Sequence, residues 1–298
     1  MRILLTGAKG QLGRTLHERL AKVANLVCAT RNGHPGRGFS DCEAADFERP
    51  ACLAPLLQRV APDVVINTAA YTAVDRAESE ADQAFRINAE AVAALATACA
   101  ARDTLLVHYS TDYVFPGNDP RPRREDDPTR PVNVYGASKL AGEEAIRASG
   151  CRHLIFRISW VYAAHGHNFL RTMLRLAGER DELRVVDDQI GAPTPAHWIA
   201  DATAKAIAQR DGRSGTWHLA AAGETSWHGF AEAIFEEAYR SGLIVRRPVV
   251  IPIRSSEYPT PARRPMYSRL DPSRLQSDFG IALTDWRVGL SEVLSALR

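Results

Sequence analysis

The sequence predicts an α/β protein in which helices cover both faces of a doubly wound parallel sheet and a smaller C-terminal domain follows. Two observations predict the sheet. Short runs rich in leucine and β-branched residues alternate with longer helical patterns in the first half of the 298-residue chain, and a glycine-rich turn joins the first run to the first helix. The smaller domain is predicted because, beyond about residue 165, helical patterns lie among proline-rich connections with few convincing strands.

Five runs are predicted as strands because each is short and apolar and is bounded by a helical pattern or a loop. They are Arg2–Thr6, Leu26–Thr30, Val64–Asn67, Leu105–Tyr109 and Leu154–Ile158. The first helix is predicted from leucines at four-residue spacing, Leu12, Leu16 and Leu20. The other predicted helices are Glu78–Ala101, Gly136–Ala148, Phe169–Gly178, Ile199–Gln209 and Trp227–Ser241.

The composition excludes several classes of protein. Apolar residues make up 45% of the chain, which is enough for a sizeable core and excludes a disordered chain. A net charge of +2 removes the electrostatic case for a dedicated nucleic-acid binder. The N-terminal apolar run, Ile3 to Leu5, is too short for a signal peptide or a membrane span. Five cysteines without a CxxC pair fit reduced thiols, so we expect a soluble cytoplasmic protein.

The run GAKGQLG directly follows the first predicted strand and leads into the leucine-striped helix. Its glycines, Gly7, Gly10 and Gly13, allow a tight turn and a close backbone approach, so that the free N–H groups of the helix can bind a pyrophosphate. The spacing departs from the common GxGxxG, and an ordinary glycine-rich turn is the alternative. Strand, glycines and helix nevertheless occur in the order that a Rossmann-type dinucleotide site requires. The intervening Lys9, Gln11 and Leu12 are expected to contact the same cofactor.

The end of the second strand bears on which dinucleotide is bound. NAD-binding proteins commonly place an acidic residue there, whereas this chain has Thr30 followed by Arg31. A guanidinium at this position can pair with a 2′-phosphate, which favours NADPH over NADH; a solvated Arg31 is the alternative. Asp46 and Phe47 close a connection that either lies over the adenine or forms a surface turn.

Small residues follow the third predicted strand. Ala69 and Ala70 leave room for a cofactor that passes close to the backbone, and Tyr71 is expected to border the same cleft. These three residues are therefore further candidates for cofactor binding.

The most informative group of residues lies between positions 110 and 139. Tyr135 and Lys139 are four residues apart on a predicted helix, so their side chains share one face. A nearby ammonium group favours the phenolate, so we expect Lys139 to lower the pKa of Tyr135 and make it a better proton donor to a developing alkoxide. Thr111 and Asp112 follow the predicted strand Leu105–Tyr109, where a hydroxyl can polarise a substrate carbonyl. A helix cap and an Asx turn are the structural alternatives for these two residues.

Seven segments together resemble the dTDP-4-dehydrorhamnose reductase family of extended short-chain dehydrogenases/reductases. They are GAKGQLG, VVINTAAYTAVDRAE, STDYVFPG, NVYGASKLAGEE, RISWVYAAHGHNF, DDQIGAPT and YPTPARRPMYSRLD. The resemblance implies the final step of dTDP-L-rhamnose biosynthesis. In that step NADPH, or alternatively NADH, delivers hydride to C4 of dTDP-6-deoxy-L-lyxo-4-hexulose, and the product serves the synthesis of surface polysaccharide such as O-antigen.

The resemblance also implies roles for individual residues. Thr111, Tyr135 and Lys139 would form the catalytic group, with Asp112 beside them. The remaining implied residues border the substrate: Val74, Tyr113 and Trp160 at the sugar, and Arg264 and Ser268 near the nucleotide end.

The resemblance leads to expectations about domains and partners. We expect residues 1–165, with roughly 196–222, to bind the cofactor, and residues 166–195 and 223–298 to bind the sugar nucleotide. The expected partner is a dTDP-sugar, with no nucleic acid and no membrane, and the expected state is a monomer or homodimer. His165 and His167 lack a plausible third ligand, so no required metal is expected.

Two other functions share this fold. A non-catalytic NADP-binding regulatory subunit would not need the complete set of Thr111, Tyr135 and Lys139. A sugar-nucleotide epimerase or dehydratase is the closer alternative. A dehydratase typically carries Asp and Glu after the threonine, whereas Asp112 is followed here by Tyr113.

Overall fold

The computed structural model describes residues 1–36, 38–39, 41–209 and 212–298. It has the predicted α/β architecture. The strands are β1 (Arg2–Thr6), β2 (Asn25–Thr30), β3 (Glu43–Ala44), β4 (Val64–Asn67), β5 (Leu105–Thr111), β6 (His153–Ile158), β7 (Val161–Tyr162), β8 (Glu182–Val186), β9 (Ile190–Gly191), β10 (Thr194–Pro195), β11 (Gly215–His218), β12 (Thr225–Ser226) and β13 (Val249–Ile253).

The helices alternate with the strands in the first half of the chain and dominate the second half. They are α1 (Gln11–Leu20), α2 (Leu53–Val60), α3 (Val74–Ala77), α4 (Ala81–Phe85), α5 (Ala91–Ala100), α6 (Val134–Ala148), α7 (Phe169–Glu179), α8 (Ala196–Ala208), α9 (Trp227–Arg240), α10 (Ser273–Phe279) and α11 (Trp286–Ser295). Short 3₁₀ turns lie at residues 50–52, 112–114 and 255–257, and a π-helical turn spans residues 86–90.

Within the described residues, the main sheet has seven parallel strands in the order β11-β6-β5-β4-β1-β2-β3. The strand order reverses direction between β1 and β4, and ligands of open α/β sheets bind beyond the carboxyl ends of the strands at such a point. Thr6 and Asn67, the last residues of β1 and β4, are directly paired there. The fold therefore places a candidate ligand site at this edge.

Alternate residues of each central strand supply two separate cores. Ile3 and Leu5 of β1 face the core that includes Leu16 of α1 and Ile199 of α8, whereas Leu4 faces the opposite core. That second core includes buried residues of α2, α5 and α6. Because side chains alternate between the two faces of a strand, a buried parallel sheet needs apolar residues at nearly every position, as in these runs. The prediction of a doubly wound sheet is confirmed.

The sheet extends further than the sequence predicted. Both of its edge strands, β3 and β11, were absent from the prediction, and β11 comes from a region in which few strands were expected. That expectation was wrong. Beyond residue 165, β8 also pairs in parallel with β13, where Pro252 interrupts the apolar pattern. These strands are short or half-exposed, so their apolar pattern is too weak to identify them.

The helix predicted at Glu78–Ala101 is continuous only from Ala81, and a π turn widens it at residues 86–90. Asn88 lies in this turn. Its side chain accepts a hydrogen bond from the backbone N–H of Tyr71 (2.8 Å) and donates to Ser138 Oγ (3.0 Å). These bonds connect the π turn to the segment after β4 and to α6.

Helix α6 packs closely on the π turn because Gly142 has no side chain. A Cβ at Gly142 would lie 2.2 Å from the carbonyl oxygen of Asn88. We therefore expect Gly142→Ala to lower the free energy of unfolding by about 2 kcal/mol, since backbone must move to accommodate it. Gly178→Ala is the matched control. Apart from its chain neighbours and the nearby backbone of its own helix, no described heavy atom lies within 4 Å of its added Cβ, so this change is expected to be neutral or slightly stabilising. Urea denaturation measures both variants, and equal effects would contradict the packing argument.

Candidate active site

Three strand ends bring polar residues together at the carboxyl edge of the sheet. Thr6 ends β1, Asn67 ends β4 and Thr111 ends β5. The hydroxyl of Thr6 donates to Asn67 Oδ1 over 2.7 Å. Thr111 was expected to follow its strand and instead is the last residue of β5. The parallel direction of the strands places all three residues at one edge.

The glycine run has the geometry of a backbone cradle. Gly7 has a φ of 67°, and a Cβ there would lie 2.6 Å from the backbone nitrogen of Ala69. A Cβ at Gly13 would lie 2.3 Å from the carbonyl oxygen of Gly7. Gly10 begins α1, and no described side chain caps this helix end. The N–H groups at the start of α1 are therefore available to an anion.

The other residues of the run have different surroundings. Lys9 is exposed, whereas Leu12 packs against the core on the α1 face of the sheet. Gln11 is tied to the start of the second half of the chain. Its side chain donates to the carbonyl oxygen of Val161 (3.1 Å) and accepts from Asn168 Nδ2 (2.7 Å). Gln11 therefore connects the glycine run to the segment that leads into α7.

Tyr135 and Thr111 meet at the end of β5. Asn133 begins α6 by accepting a hydrogen bond from the backbone N–H of Gly136 (2.7 Å), so the cap positions Tyr135 in the first turn. The hydroxyl of Thr111 donates to Asp112 Oδ1 (2.9 Å), and its oxygen lies within hydrogen-bonding range of Tyr135. The structure thus brings the predicted threonine, aspartate and tyrosine into one group.

Asp112 is a buried carboxyl group surrounded by hydroxyl donors. Burial raises its pKa to about 6, although hydrogen bonds from Thr111, Ser159 and Ser268 oppose this shift. The bond from Ser159 Oγ measures 3.0 Å. A carboxyl group with this pKa changes its protonation state in the physiological range.

The expected effect of Lys139 on Tyr135 is not what the structure shows. Burial of the phenol raises the pKa of Tyr135, and the negative charge of Asp112 raises it further, to about 12. The hydrogen bond with Thr111 opposes this rise only in part. Lys139 is itself buried, and burial lowers its pKa to about 8 despite the opposing charge of Glu143. The expectation that Lys139 lowers the pKa of Tyr135 is therefore wrong for the chain alone.

Trp160 and Ser268 lie beside the group formed by Thr111, Asp112 and Tyr135. Trp160 has a φ of 46°, which is rare for a residue with a side chain. Its Nε1 donates to Ser268 Oγ (3.1 Å), and its ring stacks on Trp227 with centroids 3.6 Å apart. Tyr113 packs edge-on against Tyr135 at 6.0 Å. These contacts place two of the predicted sugar-contacting residues, Tyr113 and Trp160, near Tyr135 and Asp112. Ser268, which was expected near the nucleotide end, also lies here and hydrogen-bonds to Asp112.

Arg264, the other residue predicted near the nucleotide end, lies close to the start of α6. Arg264 Nη2 donates to Asp75 Oδ2 over 2.8 Å, and Asp75 directly follows Val74 at the start of α3. Asn133 Nδ2 donates to the carbonyl oxygen of Arg263 (2.8 Å), which fixes the proline-rich loop against α6. The guanidinium of Arg264 is therefore oriented by Asp75.

The remaining cofactor candidates are spread along the same edge. Arg31 is exposed and forms an ion pair with Glu48 at 3.4 Å. Asp46 accepts from Arg49 Nε (2.8 Å) in a turn, while Phe47 is buried in the core on the α2 face. The last three candidates follow the end of β4: Ala69 lies against Gly7, Ala70 is half-buried, and Tyr71 is buried with its hydroxyl donating to Glu80.

Sequence reasoning missed several residues of this site. His108 lies within β5 with Nε2 3.2 Å from Lys139 Nζ, and Ser159 and Asp75 contact predicted site residues as described above. A histidine inside an otherwise apolar strand was the available signal for His108. Among the described residues no group of three or more His, Cys, Asp or Glu is arranged to hold a metal ion.

A glycine run at the switch point of the sheet, together with Thr111, Tyr135 and Lys139, is the pattern typical of dinucleotide-dependent oxidoreductases of the short-chain dehydrogenase/reductase class. The family model described as "RmlD substrate binding domain" matches residues 1–298. The chain belongs to this family. A dTDP-4-dehydrorhamnose reductase from Shigella flexneri is 46% identical, with 100% of this chain and 98% of the relative covered. One from Burkholderia thailandensis is 49% identical, with 97% of each chain covered.

The comparison with solved structures agrees. The dTDP-4-dehydrorhamnose reductase of Bacillus anthracis, in complex with NADP, has a TM-score of 0.90 and is 34% identical, with 99% of each chain covered. The resemblance inferred from the seven sequence segments is therefore confirmed. The roles of the individual site residues remain predictions.

The raised pKa of Asp112 predicts a pH-dependent contribution to stability. Its folded pKa of about 6 lies above its ordinary value near 4, so this group stabilises the fold at low pH and the contribution is lost as pH rises through 6. We compare the free energies of unfolding of Asp112→Asn and wild type. Between pH 4 and pH 7 we expect the difference to change by about 2–3 kcal/mol in favour of the variant.

Urea unfolding of both proteins at several pH values measures this difference. The asparagine is isosteric with the protonated acid, so the other carboxyl groups cancel in the comparison. A constant difference from pH 4 to pH 7 would show that Asp112 is already ionised at pH 4.

Proposed function

We propose that this protein reduces the C4 carbonyl of dTDP-6-deoxy-L-lyxo-4-hexulose (dTDP-4-dehydro-L-rhamnose) with NADPH, forming dTDP-L-rhamnose as the final step of its biosynthesis. The observation that carries the proposal is the group formed by Thr111, Asp112 and Tyr135 at the carboxyl edge of the sheet. Membership of a family whose curated relatives are dTDP-4-dehydrorhamnose reductases over nearly their full length supports the substrate.

The cofactor fits the backbone cradle. Gly7, Gly10 and Gly13 leave the N-terminus of α1 open, and added Cβ atoms would fill the space beside Ala69 and Gly7. The start of α1 would hold the pyrophosphate, and Lys139 would hold the nicotinamide ribose. NADPH supplies the hydride when bound. NADH is an alternative reductant.

Tyr135 donates the proton that the reduced carbonyl oxygen requires. With its pKa raised to about 12, Tyr135 is protonated at neutral pH and therefore ready to donate. Thr111 orients the same oxygen, since its hydroxyl can turn from Asp112 toward a substrate carbonyl. These two residues act only as the negative charge develops, so they serve the transition state.

The substrate would be held by residues from both halves of the chain. Trp160, Tyr113 and Val74 would border the sugar, and Ser268 is bonded to Trp160. Arg264 would pair with the diphosphate, because a guanidinium suits phosphate oxygens and Asp75 already fixes its direction.

The proposed domain division assigns cofactor binding to residues 1–165 with 196–222 and substrate binding to residues 166–195 and 223–298. Strand β11 joins the main sheet and α8 packs on α1, which supports placing 196–222 with the first region. A separate core formed by α7, α9 and α11 supports the second region.

The monomer or homodimer and the cytoplasmic location also remain proposals. All five cysteines are described and are free thiols, as expected for a reducing compartment. Of the described helices, none is long and apolar enough to cross a bilayer.

The two alternative functions are less well supported. A regulatory subunit has no use for the contact between Thr111 and Tyr135. A dehydratase needs an acid after Asp112, where Tyr113 instead packs on Tyr135. Incubation with the 4-keto sugar nucleotide and NADPH separates these functions, because only the reductase consumes the cofactor stoichiometrically, seen as loss of absorbance by the reduced nicotinamide.

Removal of the Tyr135 hydroxyl tests the proposed proton donor. We expect Tyr135→Phe to lower kcat by at least about 100-fold, because a general acid contributes in the transition state. The Kd for NADPH, measured by its fluorescence, is expected to stay within about threefold. Tyr109→Phe is the matched control, since its hydroxyl bonds to Thr203 on the opposite face of the strand (2.7 Å). Near-normal turnover of Tyr135→Phe would disprove the assignment.

Arg31 provides a test of cofactor preference. Arg31→Ala is expected to raise the KM for NADPH about tenfold through loss of one charged contact to the 2′-phosphate. The KM for NADH should change less than about twofold. Arg49→Ala, which removes a nearby exposed arginine paired with Asp46, serves as the control. An equal response to both cofactors would show that Arg31 does not contact the phosphate.

A further inference from the structure

His108 forms a buried link between β4 and Lys139 that the mechanism above does not use. The imidazole lies inside the sheet, in the middle of β5. Its Nε2 is 3.2 Å from Lys139 Nζ, and its Nδ1 is 3.0 Å from Asn67 Nδ2. Both ring nitrogens therefore have partners, and the partner on each side determines where the ring proton lies.

The amide of Asn67 has one allowed orientation. Its Oδ1 lies 3.1 Å from the backbone nitrogen of Ala69, and a backbone N–H can only donate. The hydroxyl of Thr6 donates to the same oxygen over 2.7 Å. Asn67 Nδ2 must then face His108, and as an amide NH₂ group it donates to Nδ1.

The ring of His108 consequently carries its proton on Nε2. A proton on Nδ1 would face the N–H of Asn67, and burial together with the charge of Lys139 keeps the pKa of His108 well below its usual value. The Nε2–H points at Lys139 Nζ. A neutral amine offers a lone pair to this donor, whereas an ammonium group does not. This arrangement therefore favours the neutral form of Lys139.

The other charged groups near Lys139 come from α6 and the neighbouring strands. Glu143 lies one turn further along α6 and favours the ammonium form. Its carboxylate is already bound by Arg157 of β6 (2.8 and 2.9 Å) and by Arg147 (3.1 Å). Tyr135 lies one turn earlier in α6, next to Asp112. With burial opposed only by the partly neutralised Glu143, the pKa of Lys139 falls to about 8.

We propose that His108 is a positioning residue for the reduction. Held by Asn67, it directs its Nε2–H at Lys139; this disfavours the ammonium form of the lysine and makes that ammonium a more readily available proton source for Tyr135. The inference rests on the proposed function for the role of Lys139. The step is a proton transfer only. After Tyr135 has protonated the sugar oxygen, an N–H bond of the Lys139 ammonium breaks, the phenol O–H bond re-forms, and water returns a proton to the neutral amine.

The acidity of Lys139 can be measured without turnover. The chain has four lysines, Lys9, Lys22, Lys139 and Lys205, so ¹³Cε labelling of lysine gives few NMR signals. The signal of Lys139 is the one missing from Lys139→Met. In the purified protein without cofactor we expect it to titrate near pH 8.

Substitutions of His108 separate the effect of its N–H on the titration of Lys139 from the effect of burial. His108→Leu keeps the site apolar and removes the donor, so the midpoint for Lys139 is expected to rise by about one pH unit. His108→Gln can accept from Asn67 and donate to Lys139, so its midpoint is expected to stay within about 0.3 units of wild type. Tyr109→Phe removes a buried hydroxyl from the same strand and is expected to have no effect.

An unchanged or lower midpoint in His108→Leu would overturn the proposal, because burial alone would then set the acidity of Lys139. If His108→Leu does not fold, Asn67→Leu releases the ring to turn a lone pair toward Lys139 and is expected to raise the midpoint as well. An unchanged midpoint in that variant would overturn the proposal equally.

Kinetics test whether the effect reaches the reaction. The alkaline limb of the kcat/KM profile is expected to move upward in His108→Leu by the same amount as the NMR midpoint and to return in His108→Gln. An unmoved limb would overturn the catalytic part of the proposal. Failure of the proposed function is distinguishable, because the wild-type protein would then lack reductase activity while the NMR shifts persisted.

Discussion

The site depends on how α6 is held against the sheet. Tyr135, Lys139 and Glu143 follow one another at four-residue spacing, so they form a single stripe along the helix. At the lower end of the stripe, Glu143 and Arg157 form a buried bidentate ion pair, with bonds of 2.8 and 2.9 Å. Burial would raise the pKa of Glu143, yet Arg157 keeps it below its usual range. Loss of one member of such a pair leaves an uncompensated buried charge, which typically costs about 3–5 kcal/mol. The pair therefore holds α6 against β6, and with the helix it holds Lys139 and Tyr135 near the carboxyl ends of the strands.

A second constraint connects the two halves of the chain at the site. Gln11 bridges the glycine run and the segment before α7 through Val161 and Asn168. The stacked rings of Trp160 and Trp227 join the end of β6 to the start of α9. The left-handed backbone of Trp160 is an energetically unfavourable conformation that persists because these contacts hold it. The proposed cofactor and sugar would thus bind on either side of contacts between the two halves of the chain that exist before either ligand binds.

Much of the site was predictable because its signals are local. A strand, three glycines and a helix identify the cradle within a dozen residues, and Tyr135 with Lys139 share a helical face at any tertiary arrangement. The edge strands β3 and β11 were missed because their apolar pattern is weak. The π turn at Asn88 was missed because its hydrogen bonds to Tyr71 and Ser138 join distant segments.

The sequence by itself determined the class of fold, the glycine run and the candidate catalytic pair of Tyr135 and Lys139, since each depends on residue type and short-range spacing. The tertiary structure decided the protonation chemistry. Burial beside Asp112 raises the pKa of Tyr135 where the spacing with Lys139 alone predicted a decrease. Likewise, the direction of the hydrogen bonds through Asn67 and His108 depends on three strands that meet only in the folded sheet. Acidity follows from solvent exclusion and from the partners that surround a group, and chain folding alone supplies both.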